Sequence, residues 1–379
     1  MHNLAAKFVR NTNSVHVVDP NVDFRLTFAN LLALQRNLKS RGIEADVEKL
    51  ANDYSRWWKA FTQQQMIEAE GLEKQKRRAA LLDESDGLLS SLQLPNDVYS
   101  ECLDAKKRHL DLSSPPHMNW LKRKGMISVD EKNRLVHLVG LPVTLQNRIL
   151  SGLEAVFAGR GIARLSVPYV VRAAILEAFN IEKSVYPAFS SDSSQPLHIA
   201  GVCSLTLGAL FTRSLFSSSN SWPLAYYSGG MTYPFDGMTD TRCSLYNARQ
   251  KMNFAILLIA KSETESNSNH QLIEDLITQF LKDQLNLELP YQTCHSLDLR
   301  KYEMLARVVS NGRADLVRSS RCGTYLSKRL NIVAESNDAP VYVHMDFVEI
   351  DVNALLGCLL EEFFINSGKA ELPPLLKDC

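Results

Sequence analysis

At 379 residues, with 45% hydrophobic and 22% charged content, the chain is long enough for two domains or for one large core with an appendage, and neither a disordered nor a fibrous class fits. Its 42 basic residues balance 42 acidic ones, so no global field draws it to nucleic acid and any such contact falls to local patches. Seven scattered cysteines with no CxxC pair fit a reducing compartment. No apolar run approaches the roughly 20 residues needed to span a bilayer, so no membrane partner is expected.

Before Asp19 there is no acidic residue, while Lys7 and Arg10 sit among Leu4, Ala5, Ala6, Phe8 and Val9. Residues 1–20 therefore suit an acid-poor matrix-targeting segment or its remnant, or else an ordinary frayed terminus. From Asp23 the spacing of Phe24, Phe28, Leu31, Leu32 and Leu38 predicts a helix ending near Gly42. Val47, Leu50, Tyr54, Trp57 and Phe61 alternate steps of three and four, the seam of a helix packed on a partner. Polar residues then dominate through Arg78. The apolar pattern returns from Leu81 to Leu94 until Pro95 and Asn96 break it, so residues 21–114 read as a helical hairpin domain.

Ser113, Ser114, Pro115 and Pro116 form the clearest linker, and residues 115–379 read as a mixed α and β domain. Ile149, Leu150, Leu153, Val156 and Phe157 predict a helix closed by Gly159 and Gly161. Leu224 to Tyr227, Phe254 to Ala260 and Val341 to Val348 read as strands. Between the last two, Leu272 to Leu281 predicts an amphipathic helix entered from a polar stretch at 262–269, and Leu355 to Phe364 a closing helix.

Motifs for chemistry are mostly missing. There is no Walker loop, GxGxxG, GxSxG or HExxH, and the histidines are dispersed, so no metal centre and no cofactor are expected. Cys294 and His295 are adjacent, which in a strand points them to opposite faces. Basic clusters are more informative: Lys74, Lys76, Arg77 and Arg78 at the polar end of the hairpin, then Lys106, Lys107 and Arg108, then Lys122, Arg123 and Lys124. The first two clusters are the candidate RNA-binding residues, since phosphate affinity grows with each counterion released; a solvated helical face is the plainer alternative.

The residues Ser320-Arg321-Cys322-Gly323-Thr324-Tyr325-Leu326-Ser327-Lys328-Arg329-Leu330 resemble the seryl-tRNA synthetase segment of the form S-N-C-x-D-F-Q-x-R-R-L. Val343 to Phe364 resembles that family's third signature motif, Glu371 to Leu376 its I-P-x-x-L ending, and Ser166-Val167-Pro168 with Val171-Arg172 its first motif. His198 to Gly201 is similar to the opening of the serine-binding loop, and Leu92 to Asn96 to the mark at the end of the tRNA-binding hairpin. The resemblance implies an α+β fold of the class II aminoacyl-tRNA synthetase type: an antiparallel sheet flanked by helices behind a shortened coiled-coil arm. It implies a dimer whose interface includes Val167, Pro168 and Arg172.

Departures from the family's pattern carry the functional expectation. The motif-two arginine that clamps phosphate and carboxylate falls on Pro234, with Asp236 where a glutamate is expected. A slip of a residue or two in the following loop would instead bring Arg242 or Arg249 to the clamp. The motif-three arginine falls on Leu355, the Asn-Gly-Ser of that motif on Phe347, Val348 and Glu349, and the serine-selecting Thr-x-Glu on Val202, Cys203 and Ser204. Asp315 keeps the acidic character of a metal-binding glutamate. Phosphoryl chemistry rests on positioned cations, so these degenerate positions lead to the expectation of a pseudo-enzyme with no catalytic residue.

The pattern is similar to a subgroup of non-aminoacylating mitochondrial paralogues from insects. That likeness implies a matrix protein pairing with mitochondrial seryl-tRNA synthetase or with itself, and associating with mitochondrial RNA or tRNA and with the Lon protease. Two other readings stay open. One is a ligase with a remodelled adenylate-forming pocket, lined by Phe347, Val202 and Leu355 with Asp315 holding magnesium. The other is a plain RNA-binding module.

Overall fold

The computed structural model describes residues 22–65, 71–189, 196–234, 243–337, 339–365 and 372–377. The expected targeting segment, Asp236 and Arg242 lie outside them. Near the start, α1 (Leu31–Ser40), α2 (Val47–Gln65), α3 (Gly71–Asp83) and α4 (Ser85–Leu92) gather around one small core. The seam read from the sequence is the buried stripe of α2: Val47, Tyr54, Trp57 and Phe61 are buried, and Trp57 stacks on Phe61 with ring centroids 5.1 Å apart. Gly87 lets α4 come against α2, because a Cβ there would sit 2.2 Å from the Asp53 carbonyl oxygen.

The strip that ends the hairpin docks this helical unit on the rest. Asn96 donates from Nδ2 to the carbonyls of Tyr302 (2.9 Å) and Cys322 (2.8 Å), while Arg329 donates to Leu92 O at 2.9 Å and Tyr325 to Leu94 O at 2.9 Å. Buried carbonyls that have left a helix need such donors.

The centre of the molecule is a 7-stranded sheet: β1 (Ala163–Arg164), β2 (Leu224–Thr232), β3 (Lys251–Ala260), β4 (Tyr291–Thr293), β5 (Leu305–Ser310), β6 (Asp315–Arg321) and β7 (His344–Asp351), in the order β1-β2-β3-β7-β6-β5-β4. Every neighbouring pair is antiparallel except β1 with β2. On one face, Phe254, Ile256 and Leu258 of β3 pack with α5 (Leu141–Gly159), α7 (Glu263–Leu285) and α8 (Val352–Leu359). On the other, Ala255, Leu257 and Ile259 pack with Phe347, Met345 and the apolar residues of α6 (Ser204–Leu210). The antiparallel α+β architecture expected from the sequence is present.

Four local expectations change. The helix expected from Asp23 to Gly42 is two, Arg25–Phe28 and Leu31–Ser40, because Asn30 caps the second by accepting from the Ala33 N–H at 3.0 Å. Val341 to Val348 is not one strand: Val341–Tyr342 joins a separate small sheet, and β7 starts at His344. The polar stretch 262–269 is already helix, because Ser262 caps α7 by accepting from the Glu265 N–H at 3.2 Å and Glu263 and Glu265 occupy its first turn. The closing helix starts earlier, at Val352, where Asp351 accepts from the Ala354 N–H at 2.8 Å, and it passes into a π-helical stretch at Leu360–Ile365. Among the described residues no helix is long and apolar enough to cross a membrane.

Candidate active site

Alternation along a strand sends every second side chain to the same face. On the α6 face of the sheet that series runs from apolar to charged. Met345 and Phe347 of β7 are followed by Glu349 and Asp351; Leu257 and Ala255 of β3 are preceded by Asn253 and Lys251; Arg318 of β6 lies opposite Glu349. The charged end opens into a cleft of about 840 Å³. Arg134, Arg249, Lys251, Arg300, Arg313 and Arg318 line it, together with Asp111, Asp298, Asp315, Glu349 and Asp351.

Most of these charges hold one another. Asp315 is gripped on both oxygens by Arg108, at 2.5 and 3.2 Å. Lys251 meets Asp351 at 2.8 Å, Arg313 meets Asp111 at 2.9 Å, and Arg300 donates to Glu349 Oε2 at 2.8 Å. Behind the wall, Arg318 forms a fork on Glu303 (2.8 and 2.6 Å), which also accepts from the Ser320 hydroxyl at 2.6 Å and the Arg300 N–H at 2.7 Å. Glu303 is fully buried, which alone would raise its pKa; the guanidiniums of Arg318 and Arg300 overcome that and hold it at about 2.

One wall is the expected linker. Leu110 to Pro115 line the cleft, fixed by Asp111 N–H to Gly312 O at 2.8 Å and Arg313 to the Ser113 hydroxyl at 3.2 Å. The closed end is made by Tyr186, Cys203, Thr232 and Asn253. It is brought in by Gly201, whose φ of +74° and close approach to Met231 O, 2.1 Å from a notional Cβ, leave no room for a side chain. Burial, reinforced by Glu349, pushes the Cys203 thiol up to about 11.

The residues singled out in the sequence fall into separate groups. Cys203, Pro234, Asp315 and Glu349 line the cleft, and Ser204 reaches it through its N–H, which donates to Glu349 Oε1 at 2.8 Å. Val202, Phe347, Val348 and Leu355 are buried in the two cores. Val167 is buried, whereas Pro168 and Arg172 are exposed beside and on the short strand Val170–Arg172. Lys76, Arg78, Lys106 and Lys107 are exposed, Arg77 pairs with Glu73, and Arg108 is part-buried and paired with Asp315 of the cleft wall. Of the alternatives for the clamp, Arg249 does line the cleft. Sequence reasoning missed Arg300, Arg313, Arg318 and Lys251. Only Lys251 carried a local signal, a charge ahead of the buried run from Asn253 to Ala260; Arg300 and Arg313 lie outside the strands and Arg318 sits on a strand of mixed polarity.

The residues present do not fit a resident cation. Both oxygens of Asp315 are engaged by Arg108, and among the described residues no group of three or more His, Cys, Asp or Glu side chains could hold a metal ion.

No protein-family model and no curated protein matches the chain. Solved structures do. Seryl-tRNA synthetase from Pyrococcus horikoshii, complexed with ATP, superposes with a TM-score of 0.75 at 16% identity, covering 94% of this chain and 97% of that one. The cytoplasmic serine-tRNA ligase of Naegleria fowleri, in complex with AMP, gives 0.73 at 14% identity, covering 96% and 97%. Giardia lamblia prolyl-tRNA synthetase with prolyl-adenylate gives 0.60 at 15%, covering 68% of this chain and 54% of that one.

These findings overturn the expectation that the chain is no enzyme. That expectation rested on a cleft stripped of cations, and six line it; the structures that share its fold belong to ligases solved with ATP, AMP or an adenylate. The fold is that of the class II aminoacyl-tRNA synthetases.

Proposed function

We propose that the chain is an adenylate-forming ligase with a rebuilt pocket, binding ATP in the cleft on the sheet and activating a carboxylic acid. The observation that carries this reading is the set of six basic side chains on one 840 Å³ cleft at the charged end of the sheet face. In the reaction a carboxylate oxygen of the acid bonds to the α-phosphorus of ATP while the bond from that phosphorus to the bridging oxygen breaks, and pyrophosphate leaves with the electron pair. Charge grows on the phosphate oxygens, and fixed guanidiniums stabilise it most where water is excluded. Arg249, Arg313 and Lys251 are the residues assigned to the phosphates.

Calorimetric titration of ATP, followed by pyrophosphate release in the presence of a panel of carboxylic acids, tests the reading. Micromolar ATP affinity with acid-dependent pyrophosphate is the expected result; no heat of binding at millimolar ATP would remove it.

A second activity, contact with RNA, is supported by the exposure of Lys76, Arg78, Lys106 and Lys107. Reversing those four charges should abolish RNA binding in a filter assay, and unchanged affinity would refute the contact. For partners, the supports are the resemblance and the exposed Pro168 and Arg172 with Tyr169 beside them. They favour pairing with a second copy or with mitochondrial seryl-tRNA synthetase in the matrix. Pull-down from mitochondria, read by mass spectrometry, tests this pairing and the association with Lon together.

A further inference from the structure

Beside the closed end of the cleft, within electrostatic reach of Tyr186, stands one arginine. Arg300 lines the cleft with 43% of its side chain exposed, and its Nη1 is fixed twice, donating to Glu349 Oε2 and to the Tyr302 hydroxyl, both at 2.8 Å. Its Nε and Nη2 form no side-chain hydrogen bond with any described residue. Those two atoms make the edge of a guanidinium that meets a carboxylate with two parallel N–H···O bonds. Arg300 is thus held still by one edge while it offers the other to the cleft.

The same arrangement is hostile to an ammonium group. Glu349 is the carboxylate nearest this end, and both of its oxygens are occupied, Oε2 by Arg300 and Oε1 by the Ser204 N–H at 2.8 Å. Elsewhere on the walls Asp315, Asp351 and Asp111 have partners in Arg108, Lys251 and Arg313, which leaves the exposed Asp298. Around the subsite itself, the Thr232 hydroxyl donates to Ala200 O, Asn253 donates to Val202 O, and Cys203 stays a neutral thiol. A zwitterion seated there would place its ammonium against a guanidinium, with Glu349 already engaged on both oxygens and only the solvent-exposed Asp298 left to answer it.

We propose that the closed end of the cleft binds a carboxylic acid lacking an α-ammonium group, its carboxylate held bidentately on the Nε–Nη2 edge of Arg300. The inference rests on the ligase reading for what then happens to the acid, but its binding stands on Arg300 alone. Glu349 and Tyr302 are positioning residues that act through that arginine.

The test is saturation-transfer NMR and competition titration on the full chain without nucleotide, using two matched pairs, 3-hydroxypropanoate against serine and propanoate against alanine. The acids without an ammonium should bind at least ten-fold tighter than their amino counterparts. Arg300→Met should lose that binding ten-fold or more with its thermal midpoint reported alongside, and Arg300→Lys, which keeps the charge and loses the two-point edge, should lose most of it too. Equal or tighter binding of serine or alanine overturns the proposal. So does wild-type affinity in both variants, or no binding of either acid at millimolar concentration. ATP titrated into the same samples separates the two ideas: acid binding without ATP binding removes the ligase reading and leaves this one, whereas ATP binding with an amino acid preferred does the reverse.

Discussion

Arg318 and Glu349 stand directly opposite each other across the β6–β7 ladder, yet each forms its ion pair with another residue, Arg318 with Glu303 and Glu349 with Arg300. Two crossed pairs replace one straight pair, and the buried member of the set is Glu303. A buried carboxylate gains its stability only while its partners remain, since removing one leaves an uncompensated charge. Glu303→Gln should therefore destabilise the protein by about 3–5 kcal/mol, measured by urea unfolding; a loss under about 1 kcal/mol would mean that Arg318 finds water instead.

The same residue sets an acid limit. Its folded pKa of about 2 lies below the ordinary glutamate value. A depressed carboxylate contributes stability that is fully present above the unfolded pKa and is lost as pH falls through the folded one. The window thus runs from roughly pH 4.5 down to pH 2, and the contribution is on the order of 3 kcal/mol. Unfolding free energy followed from pH 6 to pH 2 should fall across that window in the wild type and fall less steeply in Glu303→Gln.

Arg108 and Asp315 form a partly buried two-point pair that ties the linker wall to β6. A double-mutant cycle with Arg108→Met and Asp315→Asn should give a coupling of about 1–3 kcal/mol. Coupling within error of zero in thermal or urea unfolding would show that the wall is held by Asp111 and Arg313 without this pair.

How far the sequence could be read follows from which interactions are local. The stripe of Tyr54, Trp57 and Phe61 and the apolar run of β3 announce themselves, because helix and strand periodicity is set by neighbours in the chain. The start of β7 is not legible in the sequence, because alternation from Val341 to Phe347 continues through Val343 without marking the change of sheet. The cleft was legible only in part. Asp315, Glu349 and Cys203 could be placed, but Arg300 and Arg318 depend on long-range pairing with Glu349 and Glu303 that no spacing reveals. Arg108 read as a surface cation for the same reason, since its partner lies 207 positions away.

For nucleotide binding, Arg249 and Arg313 are the arginines to remove. Each charge-assisted bond to phosphate contributes about 1.5–3 kcal/mol, so Arg249→Ala and Arg313→Ala should each weaken ATP about 10- to 100-fold. Calorimetry with ATP checks this, and wild-type affinity in both variants would move the phosphates elsewhere in the cleft.

Leu355 provides the sharpest contrast between aligned position and physical place. Its place in the sequence matches a phosphate-binding arginine of the resembled family, but α8 turns it into the core shared with α5 and β3, at 0% exposure. The charged function at this corner falls instead to Asp351, which caps α8 through the Ala354 N–H while pairing with Lys251. Leu355→Arg would therefore bury a guanidinium among apolar side chains rather than deliver it to a nucleotide. The expected loss is about 3 kcal/mol or more, seen as a thermal midpoint several degrees lower, with no gain in ATP affinity. A variant that keeps the wild-type midpoint and binds ATP more tightly would show that α8 presents residue 355 to the cleft.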